Sequence, residues 1–214
     1  LLDGGYFTLA NSNGIVKSTG VTTDWHTATT WDCSCTLLAG MKVIIQSGHT
    51  VDINGQNAPV GDLTIGGTLT FSGTDTLEVL LDLTNTNVFT AGNGAVLLNG
   101  STPQTLSGTL ALNNLIIDNA SGATNTGTLS IGAGGFLDVQ DGSLATGNSL
   151  TLLSDATGTG ALANPTSGSI TGDIKVERYI SQYTFPYSQG NGWQLLAPSV
   201  VGADLEDWNQ EFEM

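Results

Sequence analysis

The sequence predicts an all-β fold, a right-handed parallel β-helix (a β-solenoid) with irregular end caps, and three observations favour it. First, pairs of apolar residues separated by one residue recur through the middle of the chain. Second, the segments between them contain many Gly and Asn residues, which adopt the conformations that chain corners require. Third, these segments are too short for helical crossovers, and strands joined by tight bends coil, with a right hand expected.

Each apolar pair predicts one very short strand, because alternate residues of a strand point to opposite faces. Such a strand cannot bury its apolar side alone, and stacking many of them buries it. The pairs are Val43/Ile45, Val51/Ile53, Leu63/Ile65, Leu69/Phe71, Val96/Leu98, Leu110/Leu112, Leu115/Ile117, Leu129/Ile131, Leu137/Val139, Leu150/Leu152 and Ile174/Val176.

A β-sandwich is the alternative all-β fold. It requires longer strands, about five to six residues on average, and fewer Gly-Asn corners. With about 20–25 residues in each turn, the solenoid interpretation predicts roughly six turns.

The chain divides into three predicted segments. Residues 1–40 are aromatic and irregular, which predicts an N-terminal cap and entry segment that covers the first strand edges. Residues 41–180 carry the apolar pairs and form the β-helix. Residues 181–214 are aromatic, proline-punctuated and then acidic, which predicts a C-terminal cap or the start of a following domain. Because the sequence opens on Leu1, we interpret it as a piece of a longer or processed polypeptide.

The charge balance excludes several partners. Four Lys and Arg residues stand against nineteen Asp and Glu residues, so the net charge is -15. Nucleic acid and anionic membrane surfaces both require clustered basic residues, so neither is an expected partner. No stretch has the length and apolarity of a membrane span, so membrane insertion is not expected either.

The two cysteines, Cys33 and Cys35, are separated by a single residue. A zinc site requires about four ligands, and only His26 and His49 could add to the cysteines. We therefore favour two small residues in a capping loop, free or bridged by a disulfide, over a metal or redox site. No cofactor is expected, although non-specific Ca²⁺ binding is compatible with so acidic a surface.

Candidate catalytic groups are sparse. Asp138 and Asp141 are the nearest carboxylate pair that could serve glycoside hydrolysis, but Asp141 starts an Asp-Gly-Ser turn. Lys175 and Arg178 could hold an acidic sugar, and edge charges that discourage aggregation are the more economical interpretation. The chain is therefore not expected to be an enzyme. Four tryptophans could offer a stacking platform for sugars, but aromatic residues in end segments favour a plug for the core; they are Trp25, Trp31, Trp193 and Trp208.

Several segments resemble a known group of proteins. DWHTATTWDCSC and GMKVIIQSGHTVDI, followed by DLTIGGTLTF, resemble the opening of repeat domains in large secreted and cell-surface proteins of Bacteroidetes. NSLTLLSDATGTGAL, GSITGDIKVERYI and GWQLLAPSVVGADLEDWN resemble the closing part of the same domains. The resemblance implies an adhesin-like repeat module of a long protein, exported by the type IX secretion system. The opening pattern is also similar to the G8 domain, an all-β extracellular module.

The resulting functional expectation is a non-catalytic structural or adhesive module of a larger secreted or surface-anchored bacterial protein. Its expected location is extracellular or on the cell surface. Its expected partners are other domains of the same polypeptide, and glycans, surface proteins or copies of itself. Two alternatives stay open, namely a glycan-binding or glycan-processing β-helix and a subunit of a self-assembling extracellular fibre. Contacts with partners are expected from two variable loops, residues 84–94 and 155–168.

Overall fold

A computed structural model describes residues 14–163 and 167–179, and these residues form a parallel β-solenoid of about seven turns. The predicted fold class is confirmed, and the β-sandwich alternative is not what the chain adopts. All described residues belong to one compact unit, which ends at Tyr179. The predicted C-terminal segment 181–214 lies outside the described residues, as do residues 1–13. The hand of the coil stays a prediction.

Eighteen strands make up the described part, most of them three or four residues long. In chain order they are β1 Ile15–Lys17, β2 Lys42–Ile45, β3 Thr50–Ile53, β4 Ala58–Val60, β5 Leu63–Ile65, β6 Thr68–Phe71, β7 Thr76–Val79, β8 Leu83–Asn85, β9 Val88–Thr90, β10 Ala95–Leu98, β11 Gln104–Asn125, β12 Thr128–Ala145, β13 Leu150–Leu152, β14 Ser154–Asp155, β15 Gly158–Thr159, β16 Ala161–Leu162, β17 Ser169–Thr171 and β18 Ile174–Val176. One short 3-10 helix, Ala28–Thr30, lies between β1 and β2.

From β2 to β10, each turn of the solenoid contributes one strand to each of three faces, whereas the first turn contributes β1 alone. Face 1 begins with β1, β2, β5 and β8, face 2 with β3, β6 and β9, and face 3 with β4, β7 and β10. The long strands β11 and β12 run through the corners and contribute to all three faces. We number the turns by their face 1 strand, so β1 opens turn 1, β8 opens turn 4 and β11 opens turn 5.

The register between turns keeps apolar residues above one another. Val43 lies opposite Leu63, and Leu63 lies opposite Leu83, a spacing of 20 residues in each case. Because a strand alternates its side chains, this register places every second residue in a narrow interior. The predicted apolar pairs are buried there, except that Ile174 and Val176 in the last described turn are partly exposed.

Several interior positions are polar, and the apolar pattern did not reveal them. Asn85, Asn119 and Asn125 are each at most 2% exposed and sit at corners. Asn125 donates from Nδ2 to the Thr146 carbonyl of the next turn at 3.0 Å, and its Oδ1 accepts from the Gly127 N–H at 3.2 Å. A buried amide satisfied in this way both shapes the corner and ties two turns together.

Replacing Asn125 with alanine should lower the free energy of unfolding by about 1–3 kcal/mol, because buried backbone groups at the corner lose their partners. Urea unfolding followed by circular dichroism measures the change. Thr128→Ala, at an exposed position three residues along the chain, is the matched control and should change stability by less than about 0.5 kcal/mol. Equal losses in the two variants would show that the amide is not needed.

The N-terminal segment supplies more than a cap. β1 lies within the predicted cap and pairs in parallel with β2, with Val16 opposite Val43. It adds a turn to the stack, which is one reason why the solenoid has about seven turns where roughly six were predicted. β1 contains only one buried residue, so no apolar pair marked it in the sequence.

The predicted variable loop at residues 84–94 is instead part of the solenoid. β9 lies within it and pairs with β6, and Phe89 is buried with its ring centroid 5.7 Å from that of Phe71. The prediction of a loop was wrong because polar residues surround a single inward aromatic side chain. The other predicted loop, 155–168, begins with a small antiparallel hairpin of β14 and β15, and residues 164–166 lie outside the described part.

Candidate functional site

The best-defined special structure is the N-terminal end of the solenoid, where the chain covers its own first strands. On face 1, Thr30–Asp32 runs antiparallel to the outer edge of β1, with Thr19 N–H bonded to the Thr30 carbonyl at 2.8 Å. On face 2, the Trp25 N–H donates to the Asp52 carbonyl at 2.9 Å, along the outer edge of β3. The backbone groups of two edges are thus occupied, which blocks strand addition from outside.

Two tryptophans fill the interior at this end. Trp25 and Trp31 are 2% and 0% exposed, and their rings meet edge to face with centroids 5.1 Å apart. Trp31 Nε1 donates to the Trp25 carbonyl at 2.8 Å, so the one polar atom of that ring is satisfied. The structure therefore places both rings in the core as a plug, and neither offers a face to a sugar. Trp193 and Trp208 lie outside the described residues.

Both histidines hold distant segments together. His49 Nδ1 lies 2.8 Å from the hydroxyl of buried Ser18, and that hydroxyl also accepts from the Gln46 N–H at 2.9 Å. His26 Nε2 lies 3.0 Å from the Gln56 carbonyl. The Ser18 hydroxyl beside His49 is buried and held by Gln46, so it is not presented to a substrate. Both histidines bridge the N-terminal segment to turn 2.

The predicted carboxylate pair does not form a catalytic arrangement. Asp138 projects outward from face 3 and accepts from Gln140 Nε2 at 2.8 Å. Asp141 lies at the following corner, where its Oδ1 accepts from the Gly142 N–H at 2.8 Å. Each carboxylate is engaged by its own neighbours, as in a turn, and the two do not face each other across a groove.

The basic residues at the end of the β-helix are engaged on the surface. Lys175 Nζ lies 3.4 Å from Glu177 Oε1, and Arg178 donates to the Glu177 carbonyl at 3.2 Å. The Lys175 side chain is 71% exposed, so this ion pair contributes little to stability. Its position on the last described strand, β18, fits a charged strand edge better than a sugar-carboxylate site.

The hairpin of β14 and β15 holds one carboxyl group with a shifted pKa. The Thr157 hydroxyl donates to Asp155 Oδ1 at 2.6 Å, and the Thr157 N–H donates to the same oxygen at 2.7 Å. These bonds favour the charged form and hold the pKa of Asp155 below its ordinary value. Such a carboxyl stays ionised at neutral pH and is unsuited to donate a proton to a substrate.

Cys33 and Cys35 form a disulfide with their Cα atoms 5.2 Å apart. The bridge lies directly after Thr30–Asp32, the segment that covers β1, and Cys33 packs against the core. Ser34 between them has φ of 50°, a left-handed conformation that the small ring holds in place. The bridge thus shapes the loop that follows the covering segment.

Removing the bridge should cost little. The ring encloses one residue, so the gain from restricting the unfolded chain is small, and Cys33→Ser with Cys35→Ser should lower the free energy of unfolding by about 1–2 kcal/mol. Thermal unfolding of the double variant measures this, and wild-type protein reduced with a phosphine serves as the matched comparison. A chain that loses its β-sheet signal on reduction would contradict this expectation.

In residues 14–163 and 167–179, no group of three or more His, Cys, Asp or Glu residues is placed to hold a metal ion. In the same residues, no helix has the length and apolarity needed to span a membrane.

Comparison of the sequence with protein-family models and with curated proteins, and of the fold with solved structures, returned no match. The evidence for the fold is therefore the strand pairing of the solenoid itself, and no function can be transferred from a homologue.

The polar residues that the sequence analysis missed, Ser18, Asn85, Asn119 and Asn125, all have structural roles. A weak signal could have found two of them: Asn85 and Asn125 are each followed two residues later by Asn or Gly, a corner pattern.

Proposed function

We propose that the chain is a non-catalytic structural and adhesive module of a larger bacterial protein that is secreted or anchored at the cell surface. In this proposal the chain belongs with the repeat domains of large type IX-secreted proteins of Bacteroidetes, which its opening and closing segments resemble. Its partners are other domains of the same polypeptide, and glycans or surface proteins; association with copies of itself belongs to the fibre alternative.

The main support for the proposal is that the tryptophan, histidine and cysteine side chains of the described residues all have structural roles. Both described tryptophans plug the core, both histidines bridge segments, and the cysteines form a local disulfide. What remains outside is a regular surface of Thr, Ser, Asn and Asp over parallel ladders. Such ladders resist deformation because each turn bonds to its neighbours along its length.

The charge of the molecule supports the same role. A net charge of -15 keeps a slender module soluble and opposes close contact between copies and with anionic membranes. Neither nucleic acid nor membrane insertion is part of the proposal.

Location is tested on intact source cells. An antibody raised against this chain should label unbroken cells, and added protease should remove the label. An antibody against a cytoplasmic enzyme, which should bind only after lysis, controls for leakage. A protein detected only in lysed cells would overturn the extracellular role.

Catalysis is tested by incubating the purified chain with a panel of neutral and acidic polysaccharides. Neither new reducing ends nor the ultraviolet absorbance of unsaturated sugars should appear. Product formation that is lost in Asp138→Asn would favour the glycan-processing alternative, and binding without cleavage would favour the glycan-binding one.

Adhesion and self-assembly are separated by two further measurements. Beads coated with the folded chain should bind to surfaces that display glycans or cell-surface proteins. Beads coated with heat-unfolded chain should bind to the same surfaces more weakly. Analytical ultracentrifugation should give a single monomeric species, because the N-terminal edges of two faces are already occupied. Polymers that grow with concentration would favour the fibre alternative.

A further inference from the structure

We infer that the solenoid is divided into two cooperative units that part at the boundary between turns 4 and 5, hereafter the turn 4–5 junction. This inference rests on strand pairing and does not depend on the proposed function. The units are turns 1–4, which end with β10, and turns 5 onward, which begin with β11.

The main observation is an interrupted sheet. On face 2, β9 pairs with β6 and is the last strand of its sheet. The next segment on this face, Thr109–Leu112, pairs with Thr128–Ile131 of the following turn. In the described part of the chain, no ladder joins β9 to Thr109–Leu112, so the backbone hydrogen bonds expected there are missing.

Faces 1 and 3 remain paired across the same boundary. On face 1, Leu83 lies opposite Leu106, and on face 3, Val96 lies opposite Leu115. The boundary between turns 3 and 4, in contrast, has ladders on all three faces. In a stack of repeats, stability is a sum of turn terms and interface terms, so a boundary that lacks one ladder is a weak interface.

A longer turn accompanies the interruption. Leu63 and Leu83 are 20 residues apart, whereas Leu83 and Leu106 are 23 apart. The longer turn contains Pro103, which has no N–H for a ladder, at an exposed corner. The extra residues lie at this corner, and Leu106 still lies opposite Leu83 on face 1.

Side-chain hydrogen bonds add to the two ladders that cross the junction. Asn85 donates from Nδ2 to the Thr109 carbonyl at 2.5 Å, and Asn114 donates to the Gly94 carbonyl at 3.3 Å. Nearby, buried Gln104 bonds to the Val79 and Leu81 carbonyls at 2.8 and 2.6 Å. This interior is more polar than that of turns 2 and 3, so the junction buries less apolar surface and depends more on these side-chain bonds.

The experiment is hydrogen exchange of the whole chain, read at single amides by NMR at rising sub-denaturing urea. Ser107 and Ile116 report on the junction, because they lie on the ladders that cross it. Thr84 and Leu97 are the matched controls, one turn earlier on the same two faces. We expect Ser107 and Ile116 to exchange together and at least about tenfold faster than Thr84 and Leu97. Equal rates in the two pairs would overturn the inference.

A variant pair sharpens the test. Asn85→Ala removes a bond across the junction and should further speed exchange at Ser107 and Ile116, by about tenfold, while Thr84 and Leu97 change less. Asn125→Ala removes a comparable buried amide between later turns and should leave the rates at Ser107 and Ile116 unchanged. If Asn125→Ala accelerates them as much as Asn85→Ala does, the solenoid opens as one body and the junction does not exist. The wild-type comparison decides the matter by itself should a variant fail to fold.

Discussion

Replacing Trp31 with alanine is expected to lower the free energy of unfolding by about 3–5 kcal/mol. The ring is fully buried and packs edge to face on Trp25, and its Nε1 bonds to the Trp25 carbonyl. Truncation leaves a cavity at the end of a narrow core, where few neighbours can move in to fill it. Chemical unfolding of purified protein, followed by tryptophan fluorescence and circular dichroism, measures the loss.

The same variant tests whether the N-terminal segment acts as a cap. Trp31 is bridged to Ser18, beside β1, so loosening Trp31 should free the outer edge of β1 for pairing with another chain. We expect Trp31→Ala to self-associate in sedimentation measurements at concentrations where the wild type does not. Leu38→Ala, in the same segment but 52% exposed, is the control and should alter neither property. A variant of Trp31 that stays as stable and as monomeric as this control would show that the plug has no such role.

Replacing Gly142 with alanine is expected to cost about 2–5 kcal/mol, from backbone strain and from overlap between adjacent turns. Gly142 has φ of 73°, which alanine tolerates poorly. A Cβ at this position would also lie 1.9 Å from the backbone carbonyl oxygen of Asn119 in the neighbouring turn. That oxygen belongs to a paired strand and cannot move without disturbing the ladder between β11 and β12.

Gly134 separates these two contributions. Its φ of 78° is nearly the same, but a Cβ there meets nothing within 4 Å. Gly134→Ala should therefore cost about 1–2 kcal/mol, the strain alone. The difference in urea midpoint between the two variants therefore reports the cost of the overlap between adjacent turns at Gly142. Equal midpoints would mean that the stack can widen locally without penalty.

The strands themselves were predictable because alternation is a local property. Leu63 and Ile65 could be assigned to the interior from their spacing alone, and the structure buries both. β9 was not predictable in this way, since Phe89 is its only large buried residue and its neighbours Val88 and Thr90 point outward. β1 was missed for the same reason.

Some of the candidate functional residues could also be predicted from the sequence, and others could not. The aromatic composition of residues 1–40 predicted a plug, and Trp25 and Trp31 form one. The polar interior was not predictable, because an asparagine at a corner has the same sequence appearance whether its side chain faces water or the core. Asn125 became part of the core only because Thr146, 21 residues later, presents its carbonyl there.

By itself the sequence indicated that the chain forms short strands and stacks them, since one short strand cannot bury its apolar side alone. It also determined the strongly acidic character of the chain, with a net charge of -15. Tertiary structure alone decided which residues lie opposite one another, where the face 2 sheet is interrupted between turns 4 and 5, and how the first strand is covered. The reason is that these features depend on contacts between residues about 20 positions apart, whose geometry no local pattern specifies.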